Sequence, residues 1–218
     1  MSLAEQYEEQ EQYDKAYEEY KKELESGKLT VNLLQSLGHI ATILGKKDEA
    51  EEYYKRMVNL DPNNIVAYEK LMDICFENDD KFTYYLSRAQ KHVLEQQFEH
   101  AINDYKKAIA HCDDEDKLAS TRYILAGLYE ETGKTNQAID EYLKISDTDK
   151  VTSETYLKLA NLYAKTDFTE SAVGILQRAM DEGFEGLEED LAKYYSKINN
   201  PAKALELTSD ELLKARSL

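Results

Sequence analysis

Small and large apolar side chains recur along the chain at a fixed interval. Alanines recur 34 residues apart, and a large side chain follows each of them by four residues. The pairs are Ala16 and Tyr20, Ala50 and Tyr54, Ala138 and Tyr142, and Ala172 and Leu176. Because residues four apart share one face of a helix, this pattern predicts helices that approach closely at the small residue and fill space one turn later. The chain is therefore predicted to be a repeat array, and such arrays usually bind rather than catalyse.

A second apolar motif stands 13 residues before four of the repeating alanines, Ala50, Ala138, Ala172 and Ala204. Its copies are Leu37-Gly38-x-x-Ala41, Leu125-Ala126-x-x-Tyr129, Leu159-Ala160-x-x-Tyr163 and Leu191-Ala192-x-x-Tyr195. Helix-stopping residues lie between the two motifs: Gly45-Lys46-Lys47, Gly133-Lys134-Thr135, Thr166-Asp167 and Asn199-Asn200-Pro201. Each unit is thus predicted to contain two helices joined by a short turn.

This combination of period, motif and turn resembles the tetratricopeptide repeat family. The resemblance covers nearly the whole chain and is weakest between residues 65 and 112. It implies an all-α, right-handed superhelical solenoid of antiparallel helix pairs, whose first helices line a concave groove. The family pattern allows a tryptophan at one position of each unit, and the sequence departs from it because it has no tryptophan. Leu34, Tyr68 and Tyr156 occupy this position. Pro62 represents the closing proline that most of the units lack.

The repeat frame predicts about 12–13 helices in two groups of units. N-terminal repeats occupy 1–112 and C-terminal repeats occupy 113–218. The units are a partial one at 1–30, one at 31–64, an irregular one with an extra helix at 65–112, and others at about 117–150, 151–184 and 185–207, with the start of a further helix at 208–218. The composition agrees with an all-helical chain, because it contains only two prolines and eight glycines.

The middle of the chain interrupts the period. Ala50 and Ala101 are 51 residues apart, which equals one unit plus an extra helix of about 17 residues. Between 81 and 112 the helical spacing of apolar residues continues without glycine or proline. Two architectures fit: a tight turn at about Gln96 between two helices, which we favour, or one long helix.

Charge and motif content disfavour several classes of function. With 44 acidic and 27 basic residues the formal net charge is −17, which repels nucleic acid and anionic membranes. The sequence has no apolar run long enough for a membrane span and no signal-peptide pattern, so a cytoplasmic location is expected. Cys75 and Cys112 lack the paired spacing of zinc or redox sites, and Cys75 is expected to pack in the core. No catalytic motif is present, so we expect no enzyme activity, cofactor or metal.

The family resemblance assigns partner contacts to four positions in each first helix. The candidate groove residues are Gln35, His39, Glu69, Asp73, Phe76, Tyr123, Glu130, Leu157, Asn161 and Lys193. Apolar side chains beside acidic ones suit a peptide that carries basic and apolar residues. The alternative is a solvated face without a particular ligand.

We therefore expect a non-catalytic scaffold that binds a partner protein or peptide in the concave groove. A basic partner would suit the acidic side chains there. Two alternatives stay open. The first is a self-associating structural module that forms a homodimer through the groove or the exposed terminal helices. The second is a regulatory or targeting region of a larger enzyme or secretion-associated protein.

Overall fold

The computed structural model describes residues 2–207, and all regular secondary structure in that range is α-helical. The helices are α1 Leu3–Glu9, α2 Tyr13–Glu25, α3 Val31–Ile43, α4 Lys47–Leu60, α5 Ile65–Glu77, α6 Lys81–Leu94, α7 Phe98–Ala110, α8 Glu115–Glu131, α9 Thr135–Ser146, α10 Ser153–Lys165, α11 Thr169–Asp181 and α12 Glu188–Lys197. Residues 201–207 are also helical. The predicted further helix at 208–218 lies outside the described residues.

The helices form two compact units, one ending at His111 and one beginning at Cys112. Within each unit, the extensive contacts join helices that follow one another along the chain, as α3 packs on α4 and α4 packs on α5. Contacts restricted to sequence neighbours are the defining property of a solenoid. The prediction of an all-α solenoid is thereby confirmed for both units.

The turn inside each helix pair has one recurring geometry. Between α3 and α4, Gly45 adopts a left-handed backbone with φ of 72°, and the Lys46 N–H donates to the Ala41 carbonyl at 2.8 Å. This bond satisfies a carbonyl that the end of the helix leaves without a partner. The same left-handed residue and the same bond recur at Glu11, Asp79, Gln96, Gly133, Asp167 and Asn199.

Side-chain caps mark the start of most first helices. Thr30, Asn64, Asp114 and Thr152 precede α3, α5, α8 and α10, and each side-chain oxygen accepts a bond from the backbone N–H three residues later. Such caps satisfy donors that the first turn of a helix leaves unpaired. The second helices α2, α4, α7, α9 and α11 each follow a tight turn and have no side-chain cap.

The irregular middle consists of three helices rather than two. The chain turns at Gln96, so the favoured alternative is confirmed and the single long helix is wrong. Tight turns flank α6 on both sides, at Asp79 and Gln96. Asp80 also caps α6 by accepting from the Thr83 N–H at 3.0 Å, as in a first helix. Helix α6 therefore acts as the second helix of α5 and as the first helix of α7.

Repeating tyrosines form much of the core. Tyr20, Tyr54, Tyr105, Tyr129, Tyr142 and Tyr195 are buried, whereas Tyr7 and Tyr163 are half-buried. Cys75 is fully buried, so its predicted packing role is confirmed. Burial raises the pKa of the Cys75 thiol to about 12, which keeps it protonated at neutral pH.

Gly38 shows why a small residue recurs in the first helix. A Cβ atom at this position would lie 2.7 Å from the ring of Tyr54, which is buried in α4. That separation is far below van der Waals contact, so even one methyl group would displace the ring. The contact between glycine and ring therefore sets how closely α3 and α4 approach.

We predict that Gly38→Ala lowers the free energy of unfolding by about 1–2 kcal/mol, because overpacking outweighs the higher helix propensity of alanine. Gly127→Ala is the matched control, since Gly127 lies in α8 and a Cβ added there would have no atom within 4 Å. This control should stabilise by about 0.5–1 kcal/mol. Urea unfolding monitored by circular dichroism measures both. A Gly38→Ala protein at least as stable as the parent would contradict the proposed contact.

Candidate functional site

The structure places all ten candidate groove residues on first helices, and none of them is buried. Gln35 and His39 lie on α3, and Glu69, Asp73 and Phe76 lie on α5. Tyr123 and Glu130 lie on α8, Leu157 and Asn161 lie on α10, and Lys193 lies on α12. Seven are exposed, while Tyr123, Glu130 and Leu157 are half-buried. Within each unit, we call the solvent-facing side of the first helices the first-helix face.

In the second unit, polar pairs link α8 to α10 across the first-helix face. The Tyr123 hydroxyl donates to Glu154 Oε1 at 2.5 Å. Further along, Glu130 Oε1 lies 3.6 Å from Lys158 Nζ and accepts a bond from the Tyr142 hydroxyl of α9 at 2.8 Å. Burial raises the pKa of Tyr142, and the hydrogen bond to Glu130 raises it further. Both residues predicted on α8 thus contact the next first helix.

A third pair continues these links from α10 to α12. The buried Tyr194 donates its hydroxyl to Asn161 Oδ1 at 2.8 Å, and the Asn161 amide donates to the Leu157 carbonyl at 2.9 Å. Lys193 extends outward, 3.9 Å from Asp190 Oδ1. We name the pairs Tyr123 with Glu154, Glu130 with Lys158, and Asn161 with Tyr194 the polar ladder. Sequence reasoning missed Lys158 and Tyr194, because no local pattern marks a side chain that contacts the neighbouring repeat.

Acidic residues of the first unit already have cationic partners. Glu69 Oε1 lies 2.7 Å from Lys91 Nζ of α6, and Asp73 Oδ2 lies 3.7 Å from Lys70 Nζ. His39 Nδ1 lies 3.8 Å from Glu8 Oε1 of α1. These internal pairs reduce the attraction that Glu69 and Asp73 would exert on a basic partner.

Phe76 is the most exposed large apolar residue on the first-helix face, with 76% of its surface accessible. Its ring centre lies 6.2 Å from that of Tyr84 at the start of α6. The Arg88 guanidinium lies 5.1 Å from the ring centres of both Tyr84 and Tyr85. It also forms a two-pronged ion pair with the buried Asp104 of α7, at 2.7 and 2.6 Å. That ion pair compensates a carboxylate that would otherwise be costly to bury.

A cleft of about 630 Å³ opens where α8 and α10 begin. The loop between α9 and α10 closes one side of it, and two ladder residues, Tyr123 and Glu154, line another. Lys150 of that loop reaches Asp116 of α8, with Nζ 3.0 Å from Oδ1. The hydrogen bond to Asp116 raises the pKa of Lys150. Sequence reasoning did not find Asp116 or Lys150, which lie 34 residues apart and meet only because the repeats stack.

One group of possible metal ligands occurs among the described residues. Donor atoms of Glu51, Cys75 and Asp80 lie within 4.8 Å of one another. Each has another role: Glu51 pairs with Lys55 at 2.6 Å, Asp80 caps α6, and Cys75 is a buried thiol. We therefore assign this group to packing and capping. Across residues 2–207, no helix combines the length and the apolar character needed to cross a membrane.

The sequence matches two families of helical repeats. Residues 61–183 match the family described as SusR N-terminal TPR domain, and residues 31–64 match the tetratricopeptide repeat family. Together these matches run from the second predicted unit through most of the chain.

Individual proteins show more distant similarity. The chain is 25% identical over 209 residues to the Protein CTR9 homolog of Arabidopsis thaliana, covering 82% of this chain and 19% of that protein. Among solved structures, MamA is 23% identical, with 97% of this chain and 98% of MamA covered and a TM-score of 0.36. YrrB, described as a TPR protein with an unusual peptide-binding site, is 14% identical, with 91% and 98% covered and a TM-score of 0.43. The chain thus spans about a fifth of the length of the curated relative it matches.

We predict different effects from removing two buried tyrosine hydroxyls. Tyr142→Phe should lower the free energy of unfolding by about 1–2 kcal/mol, because it breaks a bond to the charged Glu130 of the polar ladder. Tyr105→Phe is the matched control, since its hydroxyl is buried without a hydrogen-bond partner in the described structure. That control should be neutral or stabilising. Urea unfolding of both variants provides the measurement, and equal losses would show that the hydrogen bond from Tyr142 to Glu130 contributes nothing specific.

Proposed function

The chain belongs to the tetratricopeptide repeat family, and on that basis we propose that it is a non-catalytic scaffold that binds an extended segment of a partner protein along the first-helix face. Specificity would come from several first helices together, each contributing one or two side chains. The proposal includes the cytoplasmic location that the sequence predicts.

The observation that carries the proposal is the cleft beside the polar ladder in the second unit. Its volume of about 630 Å³ falls within the range of about 300–1,000 Å³ typical of ligand pockets. Apolar walls and a few polar groups stand on the same face, which is the usual composition of a recognition site. The ladder links α8 to α10 and α10 to α12, and side chains that are already held by such links lose less entropy on binding.

A glycine on the first-helix face offers a direct test. Gly127 occupies the same position in α8 as His39 in α3 and Asn161 in α10, and a Cβ added there would have nothing within 4 Å. Gly127→Arg would project a long side chain across the face without disturbing the core. Gly174→Arg is the matched control, because Gly174 lies on the second helix α11 and its Cβ position is equally open.

We predict that the intact chain selects peptides from a phage-displayed library of random dodecapeptides. For a selected synthetic peptide, Gly127→Arg should weaken binding at least about tenfold, since a loss of about 1.4 kcal/mol corresponds to a factor of ten. Gly174→Arg should leave the affinity unchanged. Fluorescence anisotropy of the labelled peptide measures each affinity. Failure to select any peptide, or equal effects of the two variants, would refute binding on this face.

Self-association is a second candidate, favoured by the exposed ring of Phe76 in the first unit. A large apolar side chain that lies open to solvent is typical of interaction surfaces. Two copies could cover this ring together with the neighbouring Tyr84.

We predict in that case that the mass measured by light scattering rises with protein concentration and that Phe76→Ser abolishes the rise. Ile124→Ser serves as the control, since Ile124 is also an exposed apolar residue but lies in the second unit. A constant monomer mass at every concentration would eliminate this candidate.

A further inference from the structure

The cleft where α8 and α10 begin combines apolar walls with an acidic rim. Apolar groups come from Ala119, Ile124, Ile145 and Val151. Three carboxylates line it, those of Asp116, Asp149 and Glu154, and Lys150 is the one cation among its lining residues. Three negative charges and one positive charge leave a net charge of −2 on the lining. The neighbouring smaller cleft differs, because Arg122, Lys144 and Lys150 there balance Glu115, Asp147 and Asp149.

The two rim aspartates remain open to solvent. Their side chains are 80% and 76% exposed for Asp116 and Asp149, although both lie near the Lys150 ammonium, at 3.0 and 3.7 Å. One ammonium therefore faces two carboxylates whose remaining oxygens are accessible. An ion pair of this exposed kind is weak and exchanges readily with a competing cation.

The third carboxylate lies on the side of the cleft that continues into the polar ladder. Glu154 accepts the hydrogen bond from the Tyr123 hydroxyl, and Tyr123 packs edge-on against Tyr142. These contacts hold both side chains in place beside the apolar wall. A tyrosine ring next to carboxylates suits a cation, which is attracted to the face of the ring as well as to the negative charge.

We propose that this cleft receives a lysine or arginine side chain of the bound segment, and that Lys150 occupies the rim as an internal competitor when no partner is bound. This inference rests on the proposed function. The aliphatic stem of the incoming residue would pack against Ile124 and Val151, while its charged end would replace the Lys150 ammonium at Asp116. An acidic side chain is disfavoured there because the lining carries net negative charge.

The competition predicts an effect at Lys150 that a lysine distant from the cleft does not share. Lys150→Gln removes the competitor, so it should tighten binding of a library-selected basic dodecapeptide by about three- to tenfold. Lys165→Gln is the matched control: it removes the same charge from the exposed C-terminal end of α10, away from the cleft. This control should change the affinity by less than about twofold, as expected for a screened surface charge.

Two further measurements identify the subsite. Asp116→Asn should weaken the same peptide, and Lys150→Gln should then have a smaller effect in the Asp116→Asn background than in the parent. A copy of the peptide with every lysine and arginine replaced by glutamine should bind the parent and Lys150→Gln equally. Fluorescence anisotropy measures all of these affinities.

The outcomes separate this inference from the proposed function. Selected peptides without basic residues, or equal effects of Lys150→Gln and Lys165→Gln, would overturn the cleft assignment. If Gly127→Arg still blocked those peptides, binding on the first-helix face would stand. If the library yielded no peptide with the parent chain or with Lys150→Gln, both proposals would fail.

Discussion

The close packing of each first helix on its second helix is the constraint on which the rest of this structure depends. Gly38 against Tyr54 shows it most directly, because there is no room for even a Cβ between the two helices. The corresponding Ala126 and Ala160 are fully buried as well. A first helix that packs one face against its own second helix, and another against the second helix of the preceding pair, leaves a third face to solvent. The position of the candidate site follows from that packing.

The middle of the chain shows how the solenoid accommodates an additional helix. Helix α6 has the tight turn of a second helix before it and the side-chain cap of a first helix at its start. Only Ser87 and Ala89 are buried along its length, and most of its other side chains are half-buried. The ion pair between Arg88 and the buried Asp104 links α6 to α7 and compensates a charge that the core could not otherwise accept. Polar pairing thus complements apolar packing in this part of the first unit.

The acidity of the whole chain is a poor guide to the electrostatics of its surface. A net charge of −17 suggests a uniformly negative face. In the structure Glu69 pairs with Lys91, and Glu130 pairs with Lys158 and a tyrosine. These pairs neutralise part of the negative charge on the first-helix face. The cleft of the second unit is different, because its carboxylates outnumber its single lysine.

The sequence alone determined the repeat period, the repeating small and large side chains of the helix pairs and the short turns at Gly45 and Gly133, because each depends on residues within one helix or one turn. It also placed Tyr123, Glu130 and Asn161 on an unburied face. It left the turn at Gln96 open, since no glycine or proline marks that position. Only the tertiary structure decided the ladder pairs and the contact of Lys150 with Asp116. Such pairs join residues of different repeats, and their distance depends on how helices stack, which no local pattern encodes.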